Sequence, residues 1–303
     1  MPIHRIKTIS EYHRLRGLPK PQHPLVSLID FESFKYCGDN NGKNWVLDFY
    51  SIALKKNFDA KVKYGQQEYD FDDGVLFFIS PNQVYSIEVD KNQLSKLSGW
   101  MLLIHPDFFW KTTLAQNIRK YNFFDYSVNE ALFLSEKEEA TLNIILQNIQ
   151  NEYDSNIDQF SQSIIISQIE TLLNYADRFY QRQFITRKIT NHQILDRLEK
   201  LLENYFNSDA IVSKGLPTVQ YLADSLHVSP SYLSGLLKVL TAQSTQQHIH
   251  EKLIEKAKEK LSTTTLSVGE IAYELGFEHS QSFSKLFKTK TNLSPREFRQ
   301  SFN

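Results

Sequence analysis

Along the last third of the chain, apolar residues recur every three or four positions, and the same short pattern is written twice. Val219, Leu222, Ala223 and Leu226 fall at i, i+3, i+4 and i+7, which predicts a short amphipathic helix. The pattern breaks at His227 and Val228. Ser229 followed by Pro230 then supplies a capping hydroxyl and a ring whose missing N–H costs nothing in a first helical turn. The helix predicted there has Leu233, Leu236, Leu237 and Leu240 on one face. In the second copy, Ser267 and Glu270 have capping-box spacing, and Val268, Ile271, Ala272 and Leu275 repeat the stripe. Gly276 stands where a helix commonly exits through a left-handed residue, and Phe283, Leu286 and Phe287 make the next apolar face. Ala223 superposes on Ala272 and Lys238 on Lys288, so the second copy has one extra residue in its turn. Between the copies, Ser244 and Gln247 form another capping box, and Ile249, Leu253, Ala257 and Leu261 continue without Gly or Pro. That stretch predicts one helix from Ser244 to Leu261, about 27 Å long at ~1.5 Å per residue.

Two pairs of short helices, each with a tight turn, fit the helix-turn-helix, whose second helix enters the major groove. The connecting helix is a strut somewhat shorter than the ~34 Å turn of a duplex, so either the DNA bends or one reader engages poorly. The stretches YLADSLHVSPSYLSGLLK, IAYELGFEHSQSFSKLFKTKT and LSPREFR resemble the AraC-type transcription regulators, whose C-terminal domain carries two such units joined by a long helix. The resemblance covers roughly the last third of the chain. The plainer alternative is a bundle whose short helices pack only on each other.

Further upstream the texture changes. From Leu25 to about Phe109, the runs LVSLIDF, WVLDFYSIAL, KVKYGQQEYDF, GVLFFISP, VYSIEV and GWMLLI are rich in Val, Ile, Phe and Tyr, punctuated by Gly42, Gly65, Gly74, Pro81 and Gly99. Many short strands suggest a barrel or sandwich. The resemblance implies a cupin-like, jelly-roll sensor domain at this place. Residues 1–24 have little periodicity and read as an arm or loop with one short helix at most. The aromatic-rich stretch from Thr113 to Leu134 leads into two helical patterns. The first has a Ser135–Glu138 capping box before Leu142, Ile145, Leu146, Ile149 and Tyr153. The second spans about Asp158 to Phe184, through Ile165, Ile169, Leu172, Leu173, Ala176 and Tyr180. This pair can pack on the barrel or against a second copy of the chain. Arg178, Arg182, Arg187 and Lys188 then read as a solvated helix end and linker in preference to a DNA contact. Thr190 and Gln193 are expected to cap a helix bearing Ile194, Leu198, Leu201, Leu202 and Tyr205, with NSDAIVSKGLP as a loop after it.

The expected fold is therefore α+β: a cupin-like β-barrel or jelly roll with flanking helices, then an all-α domain with two helix-turn-helix units. Its expected divisions are 1–134 for arm and sensor barrel, 135–188 for the helical packing or dimerisation segment and linker, and 189–303 for the DNA-binding domain. A length of 303 residues suits at least two cores. With 41% hydrophobic residues and 23% charged, the chain has globular composition. The formal net charge of −1 carries no global nucleic-acid signature. From Pro217 to Asn303, ten Lys and Arg stand against eight Asp and Glu, a modest excess of the right sign.

Several chemistries lose support. The single Cys37 excludes an intramolecular disulfide and a cysteine-based zinc site, and no flanking cluster of cations marks it as reactive. No apolar run approaches ~18 residues and the first residues lack a signal-peptide centre, so a cytoplasmic place with no membrane contact is expected. A metal cupin needs several His and a carboxylate converging from neighbouring strands. Only His4, His13, His23 and His105 are at hand, the first three ahead of the strands and His105 opening HPDFF, where Pro106 sits in a first turn. No phosphate loop, nucleophile elbow or zincin motif occurs, so no catalytic residue, metal or cofactor is expected.

For DNA, the resemblance places Ser231, Ser234 and Gly235 of the first reading helix toward the groove, with Ser229, Tyr232 and Lys238 beside them. In many relatives a long polar or cationic side chain fills the place of Gly235. In the second unit the corresponding positions are His279, Ser280, Gln281, Ser284 and Lys285, with Lys288 for the backbone. Gln pairs bidentately with adenine and Lys donates to guanine, each good contact worth ~1–3 kcal/mol of discrimination. Gln281 and Lys285 are thus expected to carry more specificity than the first helix. Each serine serves equally well as a cap or a solvated surface group. Ala242 and Asn292 replace the glycine usual after each reading helix. The expected partners are double-stranded DNA, RNA polymerase, a second copy through 135–185 and an unidentified small-molecule effector. A barrel used only for assembly, and a metal-cupin enzyme fused to a DNA-binding domain, are the alternatives.

Overall fold

In a computed structural model, the structure describes residues 3–33, 44–56, 74–86, 98–127, 130–155, 158–186 and 188–301, excepting the side chains of 188–190 and 192. The readings made above for Cys37, Gly42, Gly65, Arg187 and the run from Lys61 to Phe71 fall outside these residues. The fold is mixed α+β and divides into two compact units, Met1–Gln183 and Phe184–Asn303. No helix among the described residues is long and apolar enough to cross a membrane.

The first unit opens with β1 (Ile3–Ile6) and α1 (Ile9–Leu15), followed by β2 (Val26–Asp30), β3 (Asn44–Leu47), β4 (Tyr50–Lys56), β5 (Val75–Ile79), β6 (Val84–Ser86) and β7 (Ser98–Ile104). Then come α2 (Thr113–Asn117), β8 (Leu132–Phe133), α3 (Glu136–Asp154) and α4 (Ser161–Thr186), the last running across the division. The strands form two sheets, ordered β1-β3-β6 and β2-β7-β4-β5-β8. Neither closes on itself among the described residues. WVLDFYSIAL makes two strands in different sheets, divided at Asp48 and Phe49.

The terminal segment differs from the arm expected. Its three-residue spacing of Ile3, Ile6, Ile9 and Tyr12 was too short to show a period, yet Ile6, Ile9 and Tyr12 are buried with Trp45, Leu47, Phe49 and Leu103. His4 lies in β1, its ring 5.1 Å from Trp45. His13 is buried, bonded to the Pro19 carbonyl and, at 2.9 Å, to Ser27 Oγ. His105 caps a 3-10 turn over Pro106–Phe109 by accepting from the Asp107 N–H.

Alternation along the larger sheet sorts its two faces. Trp100 bonds to Asn143 and Lys56 pairs with Glu139, both on α3, while Phe78 meets Phe123 and Tyr180 on α4. On the other face, Ile29, Met101, Leu103 and Ile79 pack with Trp45 and Tyr12 of the first sheet and α1. α3 begins at the expected Ser135–Glu138 capping box and buries the five residues expected of it. α4 likewise buries Ile165, Ile169, Leu172, Leu173, Ala176 and Tyr180. Arg182 is held by Glu138 at 2.6 Å and by the Phe133 carbonyl at 2.7 Å, within this unit.

The second unit is helical: α5 (Lys188–Phe206), α6 (Ala210–Lys214), α7 (Val219–Leu226), α8 (Pro230–Thr241), α9 (Thr245–Thr263), α10 (Val268–Glu274), α11 (Ser280–Thr291) and α12 (Pro295–Gln300). Two expectations are corrected. α5 begins at Lys188, so Thr190 lies inside its first turn and is not its cap. NSDAIVSKGLP contains α6, whose one buried side chain, Ile211, is too little pattern to betray a helix.

Candidate nucleic-acid interface

Thr218 caps α7 by accepting from the Tyr221 N–H at 3.1 Å, and Leu222, Ala223 and Leu226 are buried. The helix ends at His227, left-handed at φ 59°, where Val228 donates back to the Ala223 carbonyl at 3.0 Å. α10 repeats this with Gly276 at φ 79° and Phe277 donating to Ala272 at 2.9 Å. The equivalence holds through Phe277, so the extra residue lies between it and the next helix. Both the Ser244–Gln247 and Ser267–Glu270 capping boxes are present, and a third, Ser294–Glu297, starts α12. α9, with 19 residues, is about 28 Å long at ~1.5 Å per residue. Its buried stripe is Ile249, Leu253, Ile254, Ala257 and Leu261.

The two reading helices differ in what they leave for a ligand. On α8, Ser229 is buried and its hydroxyl is occupied by the Tyr232 N–H at 3.2 Å. Tyr232 turns inward, its ring edge-on to Phe184 at 5.1 Å. Ser234 Oγ lies 3.2 Å from Thr245 Oγ1, in the first turn of α9. Of the positions singled out there, Ser231 is half-buried and Lys238 exposed. Gly235 is half-buried and adds no side chain.

On α11, Phe283 and Phe287 are buried and fix the rotation of the helix, with Phe277 at 5.5 Å from the first and Phe298 at 5.5 Å from the second. Residues four and seven apart share a face, so Gln281, Lys285 and Lys288 form one stripe away from those rings. All three are exposed; Ser280 and Ser284, alongside, are half-buried. His279 is the N-cap residue yet makes no side-chain capping bond, and its ring is exposed.

Charge is sorted in the same way. On α9, Lys252 and Lys256 converge on Glu203 of α5, the second at 2.8 Å, and Lys260 pairs with Glu274 at 2.7 Å. Hydrogen bonds from Lys252 and Lys256 hold the Glu203 carboxyl down to about 2, and the Lys256 ammonium is raised in turn. Lys238 and Lys285 form no ion pair among the described residues. An unneutralised lysine can replace a counterion on phosphate, whereas a paired one must first leave its carboxylate. Sequence alone did not mark Thr245 or Phe184, because their effect on α8 exists only once α9 and the end of α4 are in place.

Residues 222–301 match the family model described as a helix-turn-helix domain. An uncharacterised HTH-type transcriptional regulator of Pseudoalteromonas carrageenovora is 34% identical over 116 residues, 38% of this chain and 64% of that protein. The HTH-type transcriptional activator RhaS of Citrobacter koseri is 28% identical over 176 residues, 53% of this chain and 63% of its own. Residues 222–301 are a helix-turn-helix domain of the AraC type. A transcriptional regulator from Chromobacterium violaceum, described as an AraC-type DNA-binding domain-containing protein, is 21% identical, with a TM-score of 0.34 over 38% of this chain and 96% of that one. The chain spans 64%, 50% and 30% of the lengths of the first curated relatives it matches. The curated relatives it matches are named as transcriptional regulators.

Proposed function

We propose that this regulator reads specific DNA sites chiefly through α11, and that its first unit acts as a sensor controlling occupancy. The stripe of Gln281, Lys285 and Lys288, with Lys285 free of any carboxylate partner among the described residues, carries the reading. Gln281 and Lys285 contact base edges, with His279, Ser280 and Ser284 flanking them, and Lys288 contacts the backbone. On α8, Lys238 and Ser231 supply phosphate contacts, while Ser229, Tyr232 and Ser234 position the helix. The division proposed is 1–134 for the sensor, 135–188 for packing or pairing with a second copy, and 189–303 for DNA binding. Activation through RNA polymerase in the cytoplasm follows the relative named as an activator. A ligand would act by favouring one sensor arrangement over another.

Selection of bound fragments from a random DNA library, repeated with Lys285→Ala, tests the assignment. The variant is expected to bind more weakly and to lose base preference under α11. Identical selected sequences and affinity at matched salt would refute it.

A further inference from the structure

The equivalence of Lys238 with Lys288 continues past both reading helices. Thr241 and Thr291 each donate to the carbonyl four residues back, Leu237 at 2.7 Å and Phe287 at 2.8 Å. Ala242 and Asn292 are both left-handed, and the N–H groups of Gln243 and Leu293 both return to the threonine hydroxyl at 3.3 Å. Ser244 and Ser294 then open α9 and α12 with the same capping box. The copies part at the next residue, where α9 begins with Thr245 and α12 with Pro295. One turn further on they differ in the same sense: His248 meets Thr241 Oγ1 at 2.9 Å, whereas Phe298 packs on Phe287. The joint after α8 is polar and the joint after α11 is apolar.

That difference decides what becomes of a serine. Ser234 of α8 and Ser284 of α11 occupy equivalent places, and both are half-buried. Ser234 Oγ is held 3.2 Å from Thr245 Oγ1. Proline offers no hydroxyl, and Ser284 makes no side-chain hydrogen bond among the described residues. Thr245 is 1% exposed, and among the described residues Ser234 is the one partner of its hydroxyl. Drawing Ser234 toward a base would strand that buried hydroxyl away from water, which costs at least as much as a neutral hydrogen bond returns. The bond therefore persists beside a duplex.

We propose that Thr245 determines specificity through Ser234: by holding that hydroxyl on α9, it keeps α8 from distinguishing bases at one position of its half-site, while Ser284 stays available to the groove under α11. Thr245 touches no DNA and is a positioning residue. The assignment rests on the reading of α8 as a DNA contact. A serine hydroxyl both donates and accepts, so once released it can pair with a base edge of either kind.

The test is selection from a random DNA library with the full chain carrying Thr245→Val, which keeps the shape and loses the hydroxyl, or Thr245→Pro, which copies the start of α12 and suits a first helical position. Each is expected to enrich one base about fivefold at one position under α8, the size of a single neutral hydrogen bond, with the bases selected under α11 unchanged. Thr245→Ser keeps the bond and should select as the unsubstituted chain does. Adding Ser234→Ala to Thr245→Val should erase the new preference, which a merely structural role for Thr245 does not require. If whichever of the Val and Pro variants folds selects the original sequences, or if the new preference survives in the double variant, the proposal is overturned. Hydroxyl-radical footprinting of the unsubstituted complex separates this from the reading beneath it. Protection of the α8 half-site with unaltered selection sinks the role of Thr245 alone. Absence of protection there takes α8 off the duplex, and the proposal falls with it.

Discussion

A lysine contributes most to phosphate binding when no carboxylate competes for it, and Lys285 meets that condition where Lys252 does not. Lys285→Ala should lower DNA affinity and reduce the slope of log K against log salt by about 1, checked by titration at several salt concentrations. Ala242 holds a left-handed conformation at φ 59° after α8, a place where an L-residue with a Cβ costs roughly 1–2 kcal/mol. Ala242→Gly is therefore expected to raise stability by about 1 kcal/mol, read as a higher midpoint of thermal or urea unfolding. The local features were legible without coordinates: Ser229, Ser244 and Ser267 announce their caps because both partners lie within four residues. The inward turn of Tyr232 and the Ser234–Thr245 bond were not, since Phe184 and Thr245 reach α8 only through the tertiary fold.

Elements with a long, one-sided pattern were readable end to end, as α3, α4 and α9 show. Short ones were not: α6 buries one side chain, and the separation of β3 from β4 turns on two residues, Asp48 and Phe49. The α5–α9 pairing was equally hidden, because Glu203 and Lys252 are far apart in sequence. Its folded Glu203 value of about 2 lies below the ordinary 4.5, so its stabilisation is complete above about pH 4.5 and is lost as pH falls toward 2. Glu203→Gln should flatten that part of the acid limb, by less than about 1 kcal/mol because solvent screens the group, and high salt should shrink the difference. Ser244→Ala should cost about 1 kcal/mol by opening the first turn of α9, measured by urea unfolding.

At the scale of the molecule, each unit has its own core, and the division at Gln183 and Phe184 predicts that each can fold alone. Residues 184–303 expressed by themselves are expected to melt in one cooperative transition and to bind the selected DNA, with no response to any sensor ligand. A fragment that stays unfolded would contradict this. With a net charge of −1, the whole chain supplies little long-range steering, so the salt response should reflect the few phosphates it touches more than global attraction.

The turn entering α11 abuts the end of α6: a Cβ added at Gly276 would stand 2.5 Å from the Ile211 carbonyl oxygen and 3.0 Å from Gly215 Cα. Both glycines have positive φ, 79° and 74°, so a side chain at either would add conformational strain to the clash. The second probe is thereby seated on the stretch that precedes the first. A methyl group at this seam would tilt one probe against the other without touching a single base, and the damage would be read as lost cooperation between half-sites.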